Sequence, residues 1–310
     1  MRSVAQSEVR DGLDGLLVHV SSVHRDRQRG GFSGISGAAL LIPLFLIGFP
    51  LLDAPQLTTV AAIGTALMLE TSGFGMGVYR YLHFKLADLR TALFLIVVTL
   101  PLGALGAIAA PQMPEQGLRL GYGAAMVVLG GLMALELRRT PLAELRVPVL
   151  SAGGPPLLDP PGALREITTR NGIRYSYQPR GLRGQRAISG VGAFVAGLIS
   201  TGVGEATMPP LVRRSRFPVP VAAATSTVVV AGTVVGAATT HAVQLVLESG
   251  FSAVPWNLIV WAVPGALIGA TIGTRQQGRV EEHATKVFFS GLFLAIGLTF
   301  LIAFTLLGFG

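Results

Sequence analysis

The 310 residues contain no cysteine, which removes thiolate metal ligands, thiol redox chemistry and disulfides from consideration. Charge is scarce too. Asp, Glu, Lys and Arg make up 13% of the chain, against about 25% in soluble domains. Five histidines, His19, His24, His83, His241 and His283, show no HExxH or comparable ligand spacing. The glycines around 31–37 and 202–204 lack the Lys-Ser/Thr ending of a phosphate-cradling loop. No metal, no cofactor and no nucleotide hydrolysis is expected.

What is present is apolar. Hydrophobic residues reach 51%, mean hydropathy is +0.61, and the apolar residues fall in runs such as 92–110, 118–137, 254–272 and 287–307. Each can cross a hydrocarbon core of about 30 Å with roughly 20 residues. Unpaired backbone groups in lipid cost several kcal/mol each, so spanning helices follow. Forty glycines beside 7% aromatics suit close helix approach through small residues.

The two halves of the chain echo each other. Gly34-Ile35-Ser36-Gly37 leading to Pro43 is answered by Gly202-Val203-Gly204 leading to Pro209-Pro210. Ile63-Gly64-Thr65-Ala66 is answered by Ala223-Ala224-Thr225-Ser226, and Pro101-Leu102-Gly103-Ala104-Leu105-Gly106 by Pro264-Gly265-Ala266-Leu267-Ile268-Gly269. In membrane proteins, Gly/Pro-interrupted segments at matching places in two halves point to a transport site. The expected fold class is an all-α polytopic membrane protein. Its two repeats hold about four apolar segments each, and segments 1 and 5 are glycine-broken helices.

A net charge of +8 invites a nucleic-acid reading, but the basic residues sit at segment ends and form no soluble patch. Arg2, Arg10, Arg25, Arg27 and Arg29 precede the first run; Arg80, Lys85 and Arg90 follow the second; Arg138, Arg139 and seven more up to Arg186 lie in the central loop. The connections at 51–56 and 248–252 have neither Lys nor Arg, and the one near Gln112 has only Arg119. The positive-inside tendency places the basic ends, and the N-terminus, in the cytoplasm. The segment 187–212 is basic at both ends, so it is expected to enter and turn back at Ser200–Gly204, giving repeats of opposite orientation. Eight simple spans in parallel repeats are the alternative.

The organisation expected is an interfacial or cytoplasmic segment 1–31, a first repeat 32–138, a cytoplasmic loop 139–186 and a second repeat 187–310. Leu13–Val20 is too short to span and has no cleavage-site pattern. In the loop, strand formers on either side of Asn171-Gly172 predict a type I′ hairpin over 166–177, more readily a passive linker than a docking element.

A broken helix presents unpaired amides and a positive dipole end, and glycine lets a ligand come close. The candidate anion-binding residues are Ser36 and Gly37 in the first break and Ser200, Thr201, Gly202 and Gly204 in the second. Hydroxyls of Thr65, Thr225, Ser226 and Thr227 come from the following helices. Each, taken singly, is more readily a packing residue, and only the repeat of the pattern in both halves gives the binding reading equal weight. Glu70 and Glu205 lie inside apolar stretches, where carboxylates are costly and are functional candidates; with His241 they form the proton-coupling set. Glu205 as a helix cap and Glu70 as a structural partner are the plainer readings.

With these motifs, the chain resembles the sulfite exporter TauE/SafE family of membrane permeases. The residues that carry the resemblance are Gly34-Ile35-Ser36-Gly37 to Pro43 and Gly48, and Gly197-Leu198-Ile199-Ser200 with Gly202-Val203-Gly204 to Pro209. It implies a bacterial inner-membrane transporter for small sulfur-containing anions such as sulfite or organosulfonates, a homodimer being the oligomer considered. The chain departs from the pattern at Ala38 and Ala39 and at Glu205, so the sulfur species and the direction of transport stay open. Two rival classes are a rhomboid-like intramembrane serine protease, from Gly31-Phe32-Ser33-Gly34 with His241 as base, and a membrane scaffold without transport. The partners expected are a small anionic substrate and the lipid bilayer, and no nucleic acid.

Overall fold

A computed structural model describes residues 38–52, 57–139, 163–276 and 282–305. The chain opens on α1, made of Ala38–Pro43, a π-helical stretch Leu44–Gly48 and Phe49–Leu51. The widened turn follows Pro43, whose missing amide interrupts the regular ladder. Then come α2 (Thr59–His83), α3 (Leu89–Ala109) and α4 (Glu115–Arg139), a two-stranded hairpin of β1 (Arg165–Thr168) and β2 (Arg174–Tyr177), and α5 (Leu182–Ile199), α6 (Val203–Arg213), α7 (Val219–Ser249), α8 (Trp256–Gln276) and α9 (Glu282–Thr305).

Among the described residues, four helical stretches are long and apolar enough to cross a bilayer: Leu89–Gln112, Glu115–Leu135, Val219–Ser249 and His283–Thr305. In α7 the most apolar window is 72% buried, against about a third in the others, which puts α7 at the centre of the bundle. The protein is thus an all-α membrane protein apart from its short hairpin.

Local chemistry fixes the helix ends. Thr58 caps α2 by accepting the Ala61 amide at 3.2 Å, and Glu115 accepts the Thr59 amide and hydroxyl at 2.8 and 2.7 Å. The Glu115 carboxylate at this N-terminus interacts favourably with the helix dipole. Asp88 caps α3 through the Thr91 amide at 3.1 Å. Pro220 lies in the first turn of α7, where its fixed φ is pre-organised and its missing amide has no partner to lose.

Small residues let the helices meet closely. A Cβ at Gly197 of α5 would collide with the Gly103 carbonyl of α3, and one at Gly106 with the Phe194 carbonyl. Helices α2 and α7 run antiparallel: Gly64 lies against His241 and Gly77 against Thr227. So do α4 and α9, where Gly123 meets Gly297 and Phe300 while Gly130 meets Ser290 and Leu294. Helix α3 also packs on α7, α8 on α2, α1 on α2 and α6 on α7.

Helices α5 and α6 form their own hairpin. At its base the Arg180 amide donates to the Ser215 carbonyl at 3.3 Å. Farther in, Gln185 Nε2 donates to Ser189 Oγ at 2.9 Å and to the Thr207 carbonyl at 3.1 Å, and Thr207 Oγ1 bonds Ser189 Oγ at 3.1 Å. Gly192 faces the Gly202 carbonyl. The tip is Ser200–Gly202, with φ of 62° at Ser200 and 116° at Gly202. The chain enters and leaves at the same end. The segment starts at Leu182, five residues before the boundary read from the sequence, because Gln185 and Ser189 are wholly buried against α6.

The β-hairpin corrects two expectations. Its turn is not type I′: Gly172 has φ 79° but Asn171 is not in the left-handed region. Gly172 N donates to the Thr169 carbonyl at 3.0 Å, and Thr169 N to the Ile173 carbonyl at 2.9 Å. This is a three-residue loop closed by a left-handed glycine. The resulting register pairs Ile167 with Tyr175 and Arg165 with Tyr177. A two-residue loop would have shifted Ile167 to the opposite face from both tyrosines. Nor is the hairpin a passive linker. Tyr177 is buried with its ring tilted against that of Phe217, centroids 4.7 Å apart, and the Arg170 amide donates to the Phe84 carbonyl at 3.1 Å. The hairpin is clamped across the α2–α3 and α6–α7 connections.

Candidate functional site

Ser33, Ser36 and Gly37 lie outside the described residues, so the first break and the protease pair contribute no geometry. The second break is described in full. Ser200 and Thr201 are both 1% exposed, and Gly202, Gly204 and the half-buried Glu205 form the first turn of α6. Because Gly202 sits level with Gly192 and Val195, α6 begins about 15–20 Å along α5 from Leu182 at about 1.5 Å per residue. A helix N-terminus, with its unpaired amides and positive dipole end, therefore opens deep inside the bundle. The Thr201 hydroxyl is buried there without a partner among the described residues.

His241 closes this region from α7. Its Nε2 donates to the Gly197 carbonyl, 2.8 Å away on α5. A carbonyl only accepts, so Nε2 carries the proton and Nδ1 is the bare nitrogen; Nδ1 has no partner among the described residues. Gly64 makes room for it: a Cβ there would stand 3.1 Å from His241 Cβ. Thr65, the next residue, is buried with its hydroxyl on the Ala61 carbonyl at 2.7 Å. Glu70, 7% exposed, lies about 9 Å farther along α2 from Gly64 by helix rise. Thus Thr65, Glu70, Ser200, Thr201, Gly202, Gly204, Glu205 and His241 share the interior of the bundle.

The three α7 hydroxyls stand elsewhere. Thr225 Oγ1 accepts the Asp88 amide at 3.0 Å, which ties it to the β-hairpin end. Ser226 and Thr227 donate to the Ala223 carbonyl at 3.0 and 2.9 Å. About 21 Å of helix rise separates Thr227 from His241.

Two polar clusters were not foreseen. In one, Asp88 Oδ2 accepts from Tyr177 OH and Thr91 Oγ1, each at 2.9 Å, and from the Arg165 guanidinium. Burial pushes this carboxyl up, but the bonds from the Thr91 amide, Arg165, Tyr177 and the Thr91 hydroxyl outweigh it and hold the group below its ordinary value. Burial, with the Asp88 charge and hydrogen bond beside it, drives the Tyr177 hydroxyl upward. The only sequence sign of this cluster was Asp88 three residues before Thr91, a cap pattern. In the other, Gln185 joins α5 to α6, and nothing in the sequence marks it.

Among the described residues there is no group of His, Cys, Asp and Glu able to hold a metal. The model of the family described as sulfite exporter TauE/SafE matches residues 29–300. The chain is 21% identical over 269 residues to the probable membrane transporter protein YunE of Bacillus subtilis (strain 168), covering 86% of this chain and 90% of that one. No solved structure matches significantly.

Proposed function

The chain belongs to the sulfite exporter TauE/SafE family of membrane transporters, and on that premise we propose that it is a secondary transporter of small sulfur-containing anions, sulfite or an organosulfonate, in the cell inner membrane. The observation that carries the reading is the N-terminus of α6 opening deep in the bundle beside a buried Thr201 hydroxyl without a partner among the described residues. Amide donors and a dipole end at that depth favour an anion. Thr201, Gly202 and Gly204 are the contact residues, with Ser200 and Thr65 lining the approach.

The packing supports a duplicated, inverted arrangement. Helices at matching places in the two halves, α2 with α7 and α4 with α9, pair antiparallel, and the contact of α3 with α7 is mirrored by that of α8 with α2. The α5–α6 hairpin is re-entrant, its base and the β-hairpin facing the cytoplasm with the arginines. Glu70, Glu205 and His241 lie within a few turns in depth and form a proton path beside the anion site. A carboxylate next to that site repels the ligand unless it is protonated, which couples proton and anion.

The test is a current on a solid-supported membrane when proteoliposomes meet a jump of sulfite, thiosulfate, sulfate, sulfoacetate or taurine. The reading expects a response to one or two of these that is absent in Gly204→Val. Equal responses in the wild type and the variant would remove the α6 N-terminus from the site.

A further inference from the structure

The base of the α5–α6 hairpin gathers arginines from two chain segments. Arg180, Arg183 and Arg186 come from the entry, and Arg213, Arg214 and Arg216 from the exit. The Arg180 amide on the Ser215 carbonyl, at 3.3 Å, brings the segments together. The guanidinium of Arg214 lies across Gly184, its Nη2, Cζ and Nη1 3.8–3.9 Å from where a Cβ would stand. Arg186 stacks over Phe94 at 4.3 Å, and its buried Nε has no partner among the described residues. Ser215, wholly buried between two of these arginines, likewise keeps a hydroxyl without a described partner.

Among the described residues, acids are few at this end. The acids with described side chains at this end are Asp88, already paired with Arg165, and Glu166, which accepts from the Ser176 hydroxyl at 3.1 Å. No side chain caps α5, whose N-cap is Gly181 with φ 61°, and its first turn has no acid. The dipole end therefore adds to the arginines' positive field. The level is also defined. Arg186 stands over Phe94 and Gly190 against Val98 and Leu102, so Leu182 is level with the start of the candidate span Leu89–Gln112. That is headgroup depth.

We propose that this arginine-lined base is a binding site for the phosphodiester headgroup of an anionic phospholipid. Arg183 and Arg214, both exposed, are the principal ligands. The proposal needs only the membrane placement of the chain and is independent of what the protein transports.

The full chain, purified in a neutral detergent, is titrated with phosphatidylglycerol, with phosphatidylcholine and with inorganic phosphate, and bound lipid is read by native mass spectrometry. Phosphatidylglycerol is expected to be retained over phosphatidylcholine, with about fivefold weaker retention for each arginine removed in Arg183→Gln and Arg214→Gln. Arg174→Gln, an exposed position on β2, is expected to change nothing. Arg183 is exposed, so Arg183→Gln alone gives the result should Arg214→Gln fail to fold. Equal retention of both lipids, or equal weakening by Arg174→Gln, would overturn the site. Phosphate that displaces the lipid at equal concentration would overturn the lipid as ligand.

Discussion

His241 Nε2 donates to the Gly197 carbonyl across 2.8 Å, joining the central helix α7 to the last turn of α5 just before the hairpin tip. The bond holds the tip by a side chain, since the Gly197 backbone is pressed against α3. His241→Ala leaves that carbonyl without its partner in a buried setting, a loss of about 1–3 kcal/mol. A lowered Tm in detergent, with transport reduced more than the stability loss accounts for, is the expected result.

Glycines at closed and open helix faces differ sharply. Gly106→Ala and Gly197→Ala drive a methyl group into backbone carbonyls of the facing helix, where neither side can yield, and should lower the amount of folded protein severely. Gly265→Ala, with no described atom within 4 Å of its Cβ position, should leave folding unchanged. Size-exclusion profiles of tagged variants distinguish the two.

The Asp88 cluster makes acid stability a local property of the β-hairpin. Its carboxyl lies below the ordinary 3.8, so its stabilisation is fully present above that value and is lost as pH falls through the lowered folded value. Asp88→Asn should destabilise the protein at neutral pH by about 1–3 kcal/mol, because Arg165 and the Thr91 amide lose an ionised partner. The variant's stability should then fall less steeply than the wild type's on acidification below 3.8. Thermal melts across pH follow both effects.

Proton coupling through the interior carboxylates has its own signature. Glu205→Gln and Glu70→Gln each remove an ionisable carboxyl at nearly constant volume, and with it the proposed proton carrier. Transport driven by a pH gradient should flatten in either variant, while exchange at equal pH should persist. Unchanged pH dependence in both variants would remove the two residues from the proton path.

The sequence made the architecture legible through charge and periodicity. The two-sided basic flanks of 187–212 led to the expectation of a turn at Ser200–Gly204, with eight simple spans as the alternative, and Ser200 and Gly202 make that turn with left-handed φ values. Thr225 echoes Thr65 in local sequence but bonds the Asp88 amide at the other end of the helix pair. Antiparallel pairing of α2 and α7 sends the start of one helix to the end of the other, so matching residues need not meet. The hairpin turn was misread because Asn-Gly specifies a turn locally, whereas the packing of Ile167, Tyr175 and Tyr177 on one face sets the register. Gln185 and Asp88 gain their roles from partners far away in the chain, which no local pattern encodes.

The anion site is tested most directly at Thr201, because replacing a buried hydroxyl without a described partner by an isosteric methyl costs the fold little. Flux of labelled sulfite into proteoliposomes is measured for the wild type and Thr201→Val, alongside the Tm of each. The account predicts an unchanged or raised Tm with a KM for the anion higher by about tenfold, the worth of about 1.4 kcal/mol of lost contact. A variant with the wild-type KM and Tm would contradict the placement of the substrate at the α6 N-terminus.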